Sequence, residues 1–225
     1  VGDLRQGGDA MAHEILERLR HYKISNPIVL ELFKPADTDF FDAVARSISH
    51  FNFEFSPESH LETVRQYSGK QYSNAEMEAT IGAALASGCR KFDLFFMIGL
   101  PHQTPEIALD TVDYCRHLLQ RFGNRITPFI SPLAPFIDPG SLAYEQSEKL
   151  GYKILYRTLE QYRLALLQPS WKYTLGYETE WMSREEIVAT TYEAALRLNR
   201  VKQESGLIDS EQAGTIEERI HAAMK

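Results

Sequence analysis

Asn52, Glu54 and Ser56 alternate strictly with Phe51, Phe53 and Phe55. On a strand, successive side chains face opposite sides, so three phenylalanines share one face and an amide, a carboxylate and a hydroxyl share the other. Glu31 in IVLELF and Asp93 in FDLFF break two further apolar runs in the same way. Three acids in three successive strands imply a polar cavity. The competing reading for any one of them is an acid near the strand's amino end that pairs with a lysine or arginine. Glu58-Ser59 falls just beyond the same run, where a carboxylate can accept hydrogen bonds from a ribose or offset an ammonium. A loop with helix-capping Ser and Glu is the alternative. Asp3 and Asp9, beside Gly2 and Gly7-Gly8, are acids in turns and read equally well as surface residues. The 7 histidines show no metal-ligand spacing, and only His102 falls at a strand end.

These groups need a scaffold, and the alternation of patterns supplies one. Residues 1–10 read as a strand end running into a glycine-rich loop. Met11–Tyr22 reads as a helix with Met11, Ile15, Leu19 and Tyr22 on one face. Ile28–Phe33 is a strand. A short helix capped by Asp37 or Thr38 runs to about Ile48, and Phe51–Ser56 is the next strand. Ser73-Asn74-Ala75-Glu76 is a capping box for a helix that stops at Gly88. Phe92–Ile98 is a strand that ends in Gly99-Leu100-Pro101, and Thr104-Pro105 starts the helix that buries Ala108, Val112, Cys115 and Leu119. Ile126–Ser131 is the last clear strand. Repeated strand–helix units of roughly 30–40 residues mean a parallel sheet with helices outside, with ligands at the strand carboxyl ends. Glu58, Gly99 and Gln103 all fall there.

Beyond Ser131 the pattern changes. PLAPFIDPGS is irregular, Gly151–Leu167 reads as a helix, and Pro169–Met182 holds both tryptophans. Ser183 and Glu186 form a second capping box for a helix to about Glu204, and Glu211–Ala223 closes the chain. The expected division is therefore a barrel segment over residues 1–139 and a helical extension over residues 140–225.

Two stretches carry a family resemblance. FMIGLPHQT (residues 96–104) resembles the fifth-strand segment of radical S-adenosylmethionine (SAM) enzymes, and FNFEFSPESHLETVRQYSGKQYS (residues 51–73) resembles their fourth-strand segment. The likeness is nearest to the subfamily whose full-length members carry an N-terminal cobalamin-binding domain. It implies an α/β fold: a partial (β/α)6-type parallel barrel that lacks its first strand, plus the helical C-terminal extension. It also implies SAM contacts at Glu54, Ser56, Glu58, Ser59, Arg65, Lys70, Gly99 and Gln103, at the backbone of Ile130 and Ser131, and at Asp3, which stands where the family binds the SAM amino group. The implied cofactors of the parent protein are SAM and a 4Fe–4S cluster, with cobalamin as a candidate third.

The chain departs from that family in its cysteines. The cluster takes three in a C-x3-C-x2-C run, whereas Cys89 and Cys115 stand alone. No cobalamin-loop pattern occurs either. Since Val1 opens directly in a Gly-Asp segment, the chain is expected to be part of a longer polypeptide whose missing N-terminal part supplies the cluster. The part alone is expected to be inactive and to hold no cofactor.

The net charge of −7 argues against nucleic acid as a partner, and no run approaches the ~20 apolar residues of a membrane span. Two isolated cysteines without a secretory signal suit a cytoplasmic protein acting on a small-molecule substrate. Two other readings use the same residues: a divalent metal held by Glu31, Glu54, Asp93 and His102 in a barrel hydrolase or aldolase, and a barrel kept as a non-catalytic scaffold.

Overall fold

A computed structural model describes residues 2–132 and 137–224. Helix α1 (Asp9–Tyr22) is followed by β1 (Ile28–Leu32), α2 (Thr38–Ser47), β2 (Phe51–Glu58), a short α3 (Glu62–Tyr67), α4 (Asn74–Ala86), β3 (Phe92–Ile98), α5 (Pro105–Phe122) and β4 (Ile126–Pro132). The four strands pair in parallel in the order β1-β2-β3-β4. This is the partial barrel that the strand–helix alternation predicts. The capping signals lie where the sequence puts them: the Ser73–Glu76 box opens α4, and the Thr104 hydroxyl with Pro105 behind it opens α5.

One face of the sheet makes the core. Phe53, Phe55, Phe92 and Phe96 are buried against the helices, and Phe41 of α2 meets Phe53 edge-on at 5.1 Å. Each such side chain contributes about 1.5–3 kcal/mol of apolar burial. Ile81 of α4 and Val112 of α5 pack onto this face, as do Ala108, Cys115 and Leu119. On the other face, Asn52, Glu54, Ser56, Asp93, Phe95 and Met97 are only half-buried. The register sets Glu31 beside Glu54, Glu54 beside Asp93 and Asp93 beside Thr127, so the three strand acids form one row across the sheet.

The extension contains α6 (Leu142–Glu145), β5 (Tyr152–Ile154), α7 (Leu159–Leu166), β6 (Tyr177–Thr179), α8 (Arg184–Glu204) and α9 (Ser210–Met224). Helix α8 lies along α5 and β4, and α9 is tied to it where the Asn199 amide donates to the Ala213 carbonyl at 2.8 Å.

The structure corrects four local expectations. Residues 2–10 hold a 3-10 turn at Leu4–Gly7 and no strand. The buried stripe of α1 is Ala12, Ile15, Leu16 and Leu19, while Met11 and Tyr22 are exposed. Met11 does not face the sheet because its thioether lies against Gly7 instead. Gly151–Leu167 is not one helix, since β5 pairs antiparallel with β6, Lys153 opposite Glu178, before α7 begins. The structure adds the short helix α3, which the sequence reading does not contain. The irregular segment expected over PLAPFIDPGS falls in part on residues 133–136, outside the described residues.

Candidate functional site

The carboxyl ends of β2 and β3 lie side by side, and each departs from regular strand geometry. In β2 the register slips between Phe55 and Glu58, a bulge that re-aims the strand end. Glu58 itself has φ +69, a left-handed backbone uncommon outside glycine. Helix α3 and the turn at Gly69 then bring Lys70 back over the strand end. Its ammonium pairs with the Glu58 carboxylate at 3.1 Å and donates to the Ser56 carbonyl. Both side chains are largely buried, at 14% and 17% exposure. Burial first and the Glu58 charge second push the phenol of Tyr152, in β5, above the ordinary tyrosine value.

At the end of β3 the chain turns at Gly99, with φ +87. The Gln103 side chain braces that turn. Its Oε1 accepts from the Gly99 and Leu100 N–H groups at 2.9 and 3.3 Å, and its Nε2 donates to the Met97 carbonyl at 3.0 Å. His102, also left-handed at φ +60, lies between two rings: Tyr67 at 3.6 Å and Trp181 at 4.1 Å between centroids. Tyr177 of β6 and Ile187 of α8 cover Gly99 so closely that a Cβ there would lie 2.8 Å from the Tyr177 hydroxyl. The extension thus forms a roof over the strand ends. Gly99→Ala is expected to cost about 2–4 kcal/mol, from left-handed strain plus the clash. Urea unfolding checks this; a loss within 0.5 kcal/mol (~0.5, the level of an ordinary surface change) means that the roof does not seat on Gly99.

The residues suggested by the sequence therefore separate into two kinds. Glu58, Lys70 and the Ser56 backbone come together at the rim. Glu54 lies lower in β2, in the acid row with Glu31 and Asp93. Ser131, one residue before the end of β4, lies beside Met97 and is exposed, while Ile130 is buried on the core side. The other four are engaged within the fold. Arg65 is fully buried, with its guanidinium donating to the carbonyls of Ser59 and Tyr72 and to the Asn74 side chain. Its role is to pin the β2–α4 connection, and few of its donors remain for a ligand carboxylate. The buried Ser59 hydroxyl accepts from the Leu61 N–H. Gln103 is occupied as described. Asp3 accepts from the Phe33 N–H and pairs with Arg5, which also reaches the Lys34 and Pro35 carbonyls. Burial works to raise the Asp3 carboxyl, but Arg5 and two backbone N–H groups outweigh it and hold it below the usual range. Asp9 is exposed in the first turn of α1.

The metal reading does not survive this geometry. Among the described residues no three His, Cys, Asp or Glu side chains come together as a metal set. His102 stacks at the carboxyl end of β3 while Asp93 sits near its amino end, and strand rise of ~3.3 Å per residue keeps them far apart. Tyr67, Tyr177 and Trp181 also border the strand ends, and the sequence does not mark them as site residues. The aromatic density of Pro169–Met182 was the available signal, but no local pattern says what it covers.

No family model matches the chain, and no curated protein does. Solved structures do. The radical SAM methyltransferase TsrM from Kitasatospora setae, with cobalamin and a 4Fe–4S cluster bound, is 13% identical with a TM-score of 0.52, over 98% of this chain and 51% of that one. The same enzyme with tryptophan substrate and the SAM analogue aza-SAM gives 16% identity and a TM-score of 0.52, over 93% and 42%. Coproporphyrinogen III oxidase (HemN) from Escherichia coli, a radical SAM enzyme, matches 76% of this chain and 45% of that one at 15% identity and a TM-score of 0.45. At such identities the likeness is one of fold. The chain spans about half the length of the TsrM structures it matches. No described helix is long and apolar enough to cross a membrane.

Proposed function

We propose that the chain is the SAM-binding part of the catalytic barrel of a radical SAM enzyme, with the cluster cysteines supplied by polypeptide that precedes it. The observation that carries this reading is the Glu58–Lys70 pair, held by a bulge and a left-handed residue at the carboxyl end of β2. Strand carboxyl ends are where barrel folds place their chemistry. The fold likeness to TsrM supports it. The charge set suits SAM: Glu58 accepts from ribose hydroxyls or the amino group, and Lys70 faces a carboxylate. Ser131 is the remaining candidate for a contact along the strand edge.

The cluster does not fit this chain's own residues. Cys89 is buried, its thiol pushed up to about 11 by burial, and Cys115 is raised further for the same reason. Neither is the clustered thiolate that iron requires. When bound to the parent protein, the cluster would supply the electron that cleaves SAM. This chain's part is to hold and orient SAM and to roof the strand ends against water. The substrate and any use of cobalamin lie beyond this assignment.

In the parent polypeptide, Glu58→Gln is expected to raise the KM for SAM about tenfold, the worth of one charged hydrogen bond. Lys70→Met acts likewise and Lys70→Arg restores much of the loss, with the circular dichroism spectrum unchanged. Unaltered KM in both Glu58→Gln and Lys70→Met removes the pair from the SAM site.

A further inference from the structure

The extension carries a second concavity that the SAM reading does not use. A cavity of about 450 Å³ opens beneath α7, lined by Tyr144, Leu159, Tyr162, Ala165 and Leu166, with Arg157 at its mouth. That volume lies in the ~300–1,000 Å³ range of small-molecule sites. The Thr158–Gln161 capping box fixes the start of α7. Positions 159, 162 and 166 then fall on one helical face and turn it toward the cavity. Leu159 and Leu166 are 89% and 72% exposed, an arrangement that leaves apolar area in water unless something covers it. The Tyr162 hydroxyl is fixed by its bond to the Tyr156 carbonyl. The Arg157 guanidinium and the Tyr144 hydroxyl have no hydrogen-bond or ion-pair partner among the described residues, so they are open to a guest. On its far side Arg157 borders a polar cleft with Glu145, Glu148 and Lys149, and both acids lie beyond ion-pair distance of it.

We propose that this cavity binds a small apolar carboxylate, its hydrocarbon or aromatic body against Leu159, Ala165 and Leu166 and its acid group on Arg157 and Tyr144. The charge argument decides the class. An uncharged apolar guest would leave the guanidinium at the mouth unused, and a cationic one would be repelled by it. An arginine fork matches a carboxylate in two parallel hydrogen bonds. The cavity residues are not those of the strand-end site, so the proposal stands independently of the SAM reading.

The test is calorimetric titration of the chain with naphthalene-2-carboxylate, with naphthalene-2-carboxamide, and with an acetylated Leu-Leu-Glu peptide. The carboxylate is expected to bind at least about tenfold more tightly than the amide, one charged bidentate contact being worth ~1.4 kcal/mol or more. Arg157→Gln should bring the two to equal affinity. Leu159→Glu, at an exposed position that tolerates a polar residue, should abolish binding of the acid. Equal affinity for acid and amide in the unaltered chain overturns the proposal, as does tight binding that survives Arg157→Gln. Binding of the peptide alone also overturns it and makes the face a protein-docking surface.

Discussion

Replacing Gln103 with leucine lowers the stability of the chain by about 3–5 kcal/mol. The side chain is fully buried and makes three hydrogen bonds, all to backbone groups of the turn that ends β3. Leucine has a similar volume, so the loss comes from polarity rather than packing. It strands two N–H groups and one carbonyl in an interior that water does not reach, each at a cost of about 1–3 kcal/mol. Partial relaxation of the turn keeps the sum below the simple total. Against a typical stability of ~5–15 kcal/mol this is a large fraction. Urea unfolding should show a lower midpoint with the slope unchanged. Thr104→Ala, which removes only the cap of α5 one residue later, should lose about 1 kcal/mol. Equal losses for the two substitutions mean that the Gln103 brace carries no special load. The Gln in the GLPHQT run is thus explained by the turn it holds, and any contact with a ligand comes through the backbone it positions.

Gln103 also marks the limit of what the sequence makes legible. The elements of the barrel segment follow from local signals: strict alternation in Phe51–Ser56, a capping box at Ser73, and a threonine with a proline at the start of α5. The ion pair of Glu58 with Lys70 is not among them: the sequence offers both residues to a ligand, and the short helix and glycine turn that bring them together emerge only in the structure. Nor does the sequence tell whether Gln103, Arg65, Ser59 and Asp3 point at a ligand or at the backbone. A buried arginine that donates to carbonyls and a ligand-binding arginine have the same neighbours in sequence. The extension was harder still. Tyr152–Ile154 falls inside Gly151–Leu167, which reads as one helix, yet it is a strand because Tyr177–Thr179 pairs with it from far along the chain. The same long-range folding brings Trp181 onto His102 and Tyr177 onto Gly99. Register between distant segments has no local signature, so the roof of the site emerges only in three dimensions.

Residues 1–225 alone are expected to form no 5′-deoxyadenosine from SAM, whereas a polypeptide that also carries an upstream C-x3-C-x2-C run forms it with a reductant. The difference is all or none because the chemistry needs iron held by three thiolates. Cys89 donates its thiol to the Lys91 carbonyl at 3.1 Å and Cys115 is buried in α5, so neither can be recruited without unfolding part of the core. Affinity should fall as well as activity. In the proposed enzyme the cluster would hold part of SAM, and Glu58, Lys70 and the strand edge would hold the rest. Loss of the cluster's share would remove several kcal/mol, and ~4 kcal/mol corresponds to about a thousandfold weaker binding. Equilibrium dialysis with labelled SAM, iron analysis after anaerobic reconstitution and chromatography of the nucleoside products measure the three consequences separately. SAM cleavage by residues 1–225 alone sinks the proposal. So does a longer polypeptide that contains the three cysteines and takes up no iron. If that longer polypeptide takes up iron and cleaves SAM, yet Glu58→Gln leaves its affinity for SAM untouched, the enzyme class stands. The strand-end pair is then a structural ion pair, and SAM is held elsewhere on the barrel.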